Sequence, residues 1–286
     1  MNKNLPVKER GLDFIKSILP KNYITLKMNE GEFDQLEESI LKEEKLKLKF
    51  FLRNKNFEWR ELAFVICCIR ERDELAEGFE YNLNKKLILS CLSKNRKMID
   101  HFISKGANSF TKSLMNACRV GDLEVAKLLI SKGAKNFQRA FSNACSSGNK
   151  ELVEWIIKLG KVKNWNDGLN RASSVGNKEI IEMMIEKGAI SWDTSLSSAC
   201  AVGCIEVAQM MIEKGAKDIN DALYWACKSG NKEIVEFIIS KGATDFDDAL
   251  GIPFFLLIFI SISFQFHSII FYLPRWSCSI WKSRDL

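Results

Sequence analysis

Apolar positions along the central chain alternate between two patterns. In the first, an apolar residue is followed three and four positions later by small ones, as in Leu114, Ala117, Cys118 and Leu223, Ala226, Cys227. In the second, apolar residues fall in adjacent pairs four apart, as in Leu152, Val153, Ile156, Ile157 and Ile234, Val235, Ile238, Ile239. Both spacings make one stripe on a helix of 3.6 residues per turn. The two patterns predict helix pairs over 111–133, 138–160, 166–188, 194–215 and 221–242, joined by loops of about four to six residues.

Glycines mark the same period. Gly106, Gly133, Gly160, Gly188, Gly215 and Gly242 are separated by 27, 27, 28, 27 and 27 residues, most of them within Lys-Gly-Ala. Gly121, Gly148, Gly176, Gly203 and Gly230 run in step and close segments such as Ala117-Cys118-x-x-Gly121. Two markers in phase over five units identify an all-α solenoid of internal repeats. Glycine suits the left-handed position that ends a helix. Glu124, Glu151, Glu179, Glu206 and Glu233 recur at the start of the second helix, where the dipole favours them. Asp167, Thr194, Asp221 and Asp248 recur at one phase and read as N-caps of the first helix. Phe110, Phe137, Trp165, Trp192, Ile219 and Phe246 read as packing anchors in the connecting loops.

These units resemble ankyrin repeats. The resemblance rests on Leu-x-x-Ala-Cys-x-x-Gly in the first helix and on Asn231-Lys-Glu-Ile-Val-Glu-Phe-Ile-Ile-x-Lys-Gly-Ala243 in the second, and covers about residues 84–250. The standard unit has about 33 residues, so these are shortened; the loss falls where the family carries its β-hairpin finger. Thr194-Ser195-Leu196-Ser197 is the nearest approach to the family's Thr-Pro-Leu-His signature. Shortened units of this kind are similar to those of giant DNA viruses and protists. The resemblance implies an all-α, ankyrin-type helix-pair solenoid with shortened loops, acting as a non-catalytic scaffold whose partner is another protein. It further implies a binding surface at the variable positions of Ala-Cys-x-x-Gly: Arg119, Val120, Ser146, Ser147, Ser174, Val175, Ala201, Val202, Lys228 and Ser229. Adjoining loop residues Lys135, Gln138, Asn166, Asp193 and Asn220 extend it. A purely structural reading, in which these residues vary because nothing constrains them, stands beside the functional one.

The flanks depart from the pattern. Leu87-x-x-Ser90-Cys91, followed by Met98, Ile99, Phe102 and Ile103, is an earlier unit with Lys94 in place of glycine. Residues 1–83 form a helical N-terminal region, either degenerate repeats or a separate cap. At the other end the repeat breaks mid-unit: Ile252–Leu273 contains no Lys, Arg, Asp or Glu, and Ile260–His267 alternates with a strand period. The tail, residues 251–286, reads as a disrupted repeat array, or as a membrane anchor through 252–273, since about 20 apolar residues span a bilayer. Two alternatives to a free scaffold follow: a membrane-tethered ankyrin protein, and a ubiquitin-ligase substrate adaptor that docks through residues 1–60.

Composition narrows the function classes. The 286 residues are 47% hydrophobic and 27% charged and include only two histidines, His101 and His267, which removes His-based triads and His-rich metal sites. Cys200 and Cys204 lie four apart, but no further ligand completes a zinc set. Phosphate-loop, dinucleotide and nucleophile-elbow motifs do not occur, so no enzyme, metal or cofactor is expected. The net charge of +6 is spread, with +3 in residues 1–60, +1 in 61–250 and +2 in 251–286. Nucleic-acid binding through phosphates calls for a concentrated basic face, so no nucleic acid is expected. The N-terminus lacks an apolar signal region. The nine cysteines then read as reduced thiols, and the expected location is the cytoplasm, that of the host for a viral chain.

Overall fold

A computed structural model describes residues 30–53, 55 and 57–245. The tail, the N-cap reading of Asp248 and the anchor reading of Phe246 lie outside the described residues, as do Leu5, Leu12, Ile15 and Leu19. Every described element is an α-helix. The chain divides into two units, Met1–Asn164 and Trp165–Leu286.

In the first unit the helices are α1 (Glu30–Leu41), α2 (Lys45–Leu52), α3 (Phe57–Ile69), α4 (Asp73–Glu77), α5 (Leu83–Ser93), α6 (Arg96–Ser104), α7 (Phe110–Arg119), α8 (Leu123–Ser131), α9 (Phe137–Ser147) and α10 (Lys150–Lys158). They form five antiparallel pairs, and first helices of successive pairs pack on one another, α3 on α5, α5 on α7 and α7 on α9. In the second unit α11 (Trp165–Ser173), α12 (Lys178–Glu186), α13 (Trp192–Val202), α14 (Ile205–Glu213), α15 (Ile219–Ser229) and α16 (Lys232–Ser240) form three pairs in the same way. The five helix pairs expected from the pattern are all present.

The core follows from residue size. Ala117, Cys118, Ala144, Cys145, Ala172, Ala199, Cys200, Ala226 and Cys227 are fully buried where first helices meet. Their small side chains let the helices approach, and free cysteine acts there as a small hydrophobe. Burial pushes the thiols of Cys67, Cys118, Cys200 and Cys227 up to about 12, and those of Cys91 and Cys145 higher still. The stripe of each second helix turns inward, with Leu152, Val153, Ile156, Ile234, Val235 and Ile238 fully buried.

The helix starts differ from the sequence reading. Asp167, Thr194 and Asp221 are not N-caps but lie inside the first turns of α11, α13 and α15. The caps of α13 and α15 are Ser191 and Asp218, and Trp192 and Ile219 are first helical residues rather than loop anchors. The second helices carry a cap that the glycine pattern hides. Asn95, Asp122, Asn149, Asn177 and Asn231 follow the mid-pair turn and accept the N–H three residues on, at 3.0–3.4 Å. Such a cap satisfies a backbone donor that the helix leaves unpaired. Cys204 occupies the same position before α14 and makes no side-chain cap bond.

The pairing extends upstream of the glycine markers. Each mid-pair turn needs a residue of positive φ, supplied by Gly121 and Gly148 in α7–α10 and by Lys94, Glu71 and Glu43 in the three earlier pairs (φ 57°, 56° and 54°). Residues 30–77 thus form helix pairs with the same turn conformation as the later pairs but without their sequence. Buried ion pairs join them: Arg70 Nε donates to Glu37 at 2.9 Å, and Lys85 meets Glu61, which is 2% exposed.

Candidate interaction surface

From α5 onward, the second residue of each first helix holds the loop that ends its own pair. Asn84 Oδ1 accepts the amides of Asn108 and Ser109 at 2.7 and 3.0 Å. Thr111 Oγ1 accepts Lys135 N–H at 3.0 Å, and Gln138 Oε1 accepts Lys163 and Asn164, both at 3.1 Å. In the second unit Asn166 holds Ile190 and Ser191 at 2.7 and 3.2 Å, and Asp193 holds Lys217 and Asp218 at 2.6 and 2.9 Å. Asn220 holds Thr244 and Asp245 at 3.0 and 3.2 Å. Thr111 satisfies one loop donor and each of the others two, donors that have no helical partner.

Four of the residues expected at a binding surface, Gln138, Asn166, Asp193 and Asn220, therefore commit their acceptors inside the chain. Ser147 and Ser229 do likewise: each donates to the carbonyl three residues back, at 2.7 Å, and accepts the amide of Asn149 or Asn231, at 3.2 Å. Val120 is buried. Arg119, Ser146, Ser174 and Ala201 are half-buried, and Ser146 and Ser174 hydroxyls donate to carbonyls of their own helix. Exposed members of the expected set are Lys135, Val175, Val202 and Lys228, together with Asp193 and Asn220, whose acceptors are already committed.

Val175 and Val202 end the exposed rows of α11 and α13, at 49% and 47% exposure. One turn back lie Arg171, exposed, and Ser198, half-buried; the same register on α15 holds Trp225, with Lys228 Nζ 4.7 Å from its ring centre. Ile190, at a loop tip, is 70% exposed. Arg171, Trp225 and Ile190 belong to this face but fall outside Ala-Cys-x-x-Gly, and their signal was a register that varies in type while its neighbours recur.

The chemistry available is that of recognition. The buried thiols are held neutral, so they are weak nucleophiles and poor ligands near neutral pH. Cys204 is half-buried, with Sγ 3.5 Å from the Glu206 carboxylate. Among the described residues no group of three or more His, Cys, Asp or Glu is placed to hold a metal ion, and no helix is long and apolar enough to cross a membrane.

A family profile described as ankyrin repeats, in three copies, matches residues 114–192 and 169–249. No curated protein matches the chain. The crystal structure of the human ASB11 ankyrin repeat domain is 21% identical and aligns over 58% of this chain and 85% of that one, with a TM-score of 0.40. The profile match over 114–249 and the recurring helix pairs within it make these residues an array of ankyrin repeats.

Proposed function

We propose that the chain is a non-catalytic protein-binding scaffold that offers its loop tips and the exposed rows of its first helices to another protein. Ankyrin repeats imply such a scaffold in general. The observation that carries the reading is the division of labour within each repeat. Positions that recur (the Ala-Cys pair, the mid-pair turn residue, the Asn cap) are occupied in folding, whereas the register of exposed Arg171 and half-buried Ser198 and Trp225 changes type from pair to pair. The half-exposed Val175 and Val202 add apolar area to a partner site in the second unit, where a bound chain removes it from water. Of the expected residues, Val175, Val202 and Lys228 are the ones this reading retains there, with Arg171, Trp225 and Ile190 added.

The test is affinity capture with the full chain and with a Val175→Glu/Val202→Glu variant, each checked for an unchanged helical signal. Proteins retained by the parent and lost from the variant support the scaffold. Identical captured sets would falsify the assignment of this face. The adaptor alternative draws less support, because residues 30–77 form helix pairs whose turns at Glu43 and Glu71 resemble those of the repeats. The membrane-tethered alternative rests on residues 252–273, outside the described residues.

A further inference from the structure

Residues 61–250 are nearly balanced in charge, but within 105–164 the acidic residues keep to the second helices. In the first unit the loops and first helices of 105–119, 132–147 and 159–164 contain no Asp or Glu. The acidic residues of the same pairs, Asp122, Glu124, Glu151 and Glu154, lie at or within the second helices. Thr111 binds the Lys135 amide, which sets that loop beside the start of α7, where the next residue is Lys112. Gln138 binds the Lys163 amide and so sets the following loop beside Arg139. Lys161 completes the row, its Nζ 4.4 Å from the Phe137 ring centre. All five cations are exposed. The starts of α7 and α9 open on the same edge and add the partial positive charge of a helix N-terminus.

We propose that this edge, the loops and first helices of residues 105–164, is a docking surface for an acidic polypeptide segment. The proposal rests on the protein-binding reading above and names the chemistry of a partner. Charge complementarity selects an anion: cations gathered without local carboxylates repel one another, and an acidic chain relieves that repulsion. A polypeptide fits better than a nucleic acid. Four of the five cations are lysines, point charges on flexible stems rather than planar forks for phosphate. Phe110 and Phe137 are half-buried, and Lys161 covers Phe137, so neither ring is offered for a base to stack on.

The experiment uses the full chain and a fluorescent 20-residue poly-glutamate peptide, read by anisotropy. A variant carrying Lys112→Glu, Lys135→Glu, Arg139→Glu and Lys163→Glu changes side chains that no folding hydrogen bond uses. Its control carries Lys187→Glu, Lys214→Glu, Lys217→Glu and Lys241→Glu in the second unit, with the same change in charge. We expect the parent to bind, the first variant to bind at least about tenfold more weakly and the control to stay within about twofold, with salt weakening the parent. Should the fourfold variant lose its helical signal, Lys112→Gln/Lys163→Gln takes its place, with about threefold weakening expected. Equal loss in variant and control would show attraction to the chain's overall charge and overturn the proposal. Tighter binding of a single-stranded oligonucleotide of equal charge would overturn it in favour of nucleic acid. Failure of the folded parent to bind poly-glutamate would end the acidic-partner inference, while the scaffold reading is judged separately at Val175 and Val202.

Discussion

Gln138 grips Asn164 at both ends of its carboxamide. Its Nε2 donates to the Asn164 carbonyl at 2.8 Å, and its Oε1 accepts the Asn164 amide at 3.1 Å. The corresponding residues Asn84, Asn166 and Asn220 are one methylene shorter. The loop that Gln138 holds, Leu159–Asn164, is one residue longer than Lys187–Ser191, with Lys161 inserted before the buried Val162. A longer side chain and a longer loop occur together because one must span the other.

Gln138→Ala should therefore lower stability by about 1–2 kcal/mol, since it leaves loop donors without their acceptor. Gln138→Asn should recover less than half of that loss, because the shorter side chain cannot reach both amides. Urea denaturation of the three proteins measures this. An Asn variant as stable as the parent would show that the match of lengths has no energetic weight.

Ala199 is fully buried between first helices, and Glu206 lies exposed in the first turn of α14. Ala199→Leu should cost about 1–3 kcal/mol or more through overpacking. Glu206→Gln should leave the urea midpoint where it is. Similar losses in both would refute the assignment of inner and outer faces.

Cys204→Asn should stabilise the second unit by about 0.5–1 kcal/mol. Asn149, at the same place in the first unit, caps α10 and also donates to the Gly121 carbonyl at 2.8 Å. Cys204 makes no cap bond, although its Sγ lies close to where a side chain on Gly176 would be. The thermal midpoint reads the gain; a lower midpoint would mean that the turn at Gly176 has adapted to sulfur.

At Gly203, φ is 74° and an added Cβ would lie 2.7 Å from Asn231 Nδ2. Gly203→Ala should destabilise by about 1 kcal/mol or more, from left-handed strain together with displacement of the cap. Lys94→Gly should do the reverse, because Lys94 holds the same conformation with a side chain (φ 57°). Chemical denaturation decides both signs.

The buried thiols give a pH dependence. Folded Cys118, Cys200 and Cys227 are pushed up to about 12 by burial, whereas an unfolded thiol ionises near about 8.5. Folding then holds these groups protonated, so their contribution is complete below about pH 8.5 and is lost as pH rises towards 12. Stability should fall over that window. In a Cys278→Ser background, a thiol reagent at pH 8 should modify Cys204 first, with the other described thiols reacting at the rate of unfolding. Prompt modification of Cys118 would place it outside the core.

Local pattern was enough to determine the period, the helix pairs and the inner faces. A residue's side of a helix depends on neighbours three and four positions away, which the sequence displays directly. The start of each first helix was not legible in the same way. Asp167, Thr194 and Asp221 suited a cap by type, yet the helices begin at Trp165, Trp192 and Ile219. The residue after each of those is held by contacts with a loop 24–25 residues on. The two pairs of residues 30–77 were hidden because Glu43 and Glu71 hold a conformation whose usual signal is glycine, whereas the pair of 83–104 was legible despite Lys94 at that place.

The candidate surface divides along the same line. The register of Ala-Cys-x-x-Gly identified where first helices end, and Val175, Val202 and Lys228 are exposed there. That Val120 is buried and that Ser147 and Ser229 close turns depends on packing against other pairs, which no short window contains. The basic edge of 105–164 was invisible to the charge count over 61–250, because the acidic residues of the same pairs all lie at or within the second helices. Sequence by itself determined the repeat, its helices and its core, since these follow from spacing along one chain. Tertiary structure alone decided which polar side chains hold the fold and which face solvent, since that choice depends on which residues about 27 positions apart are brought into contact.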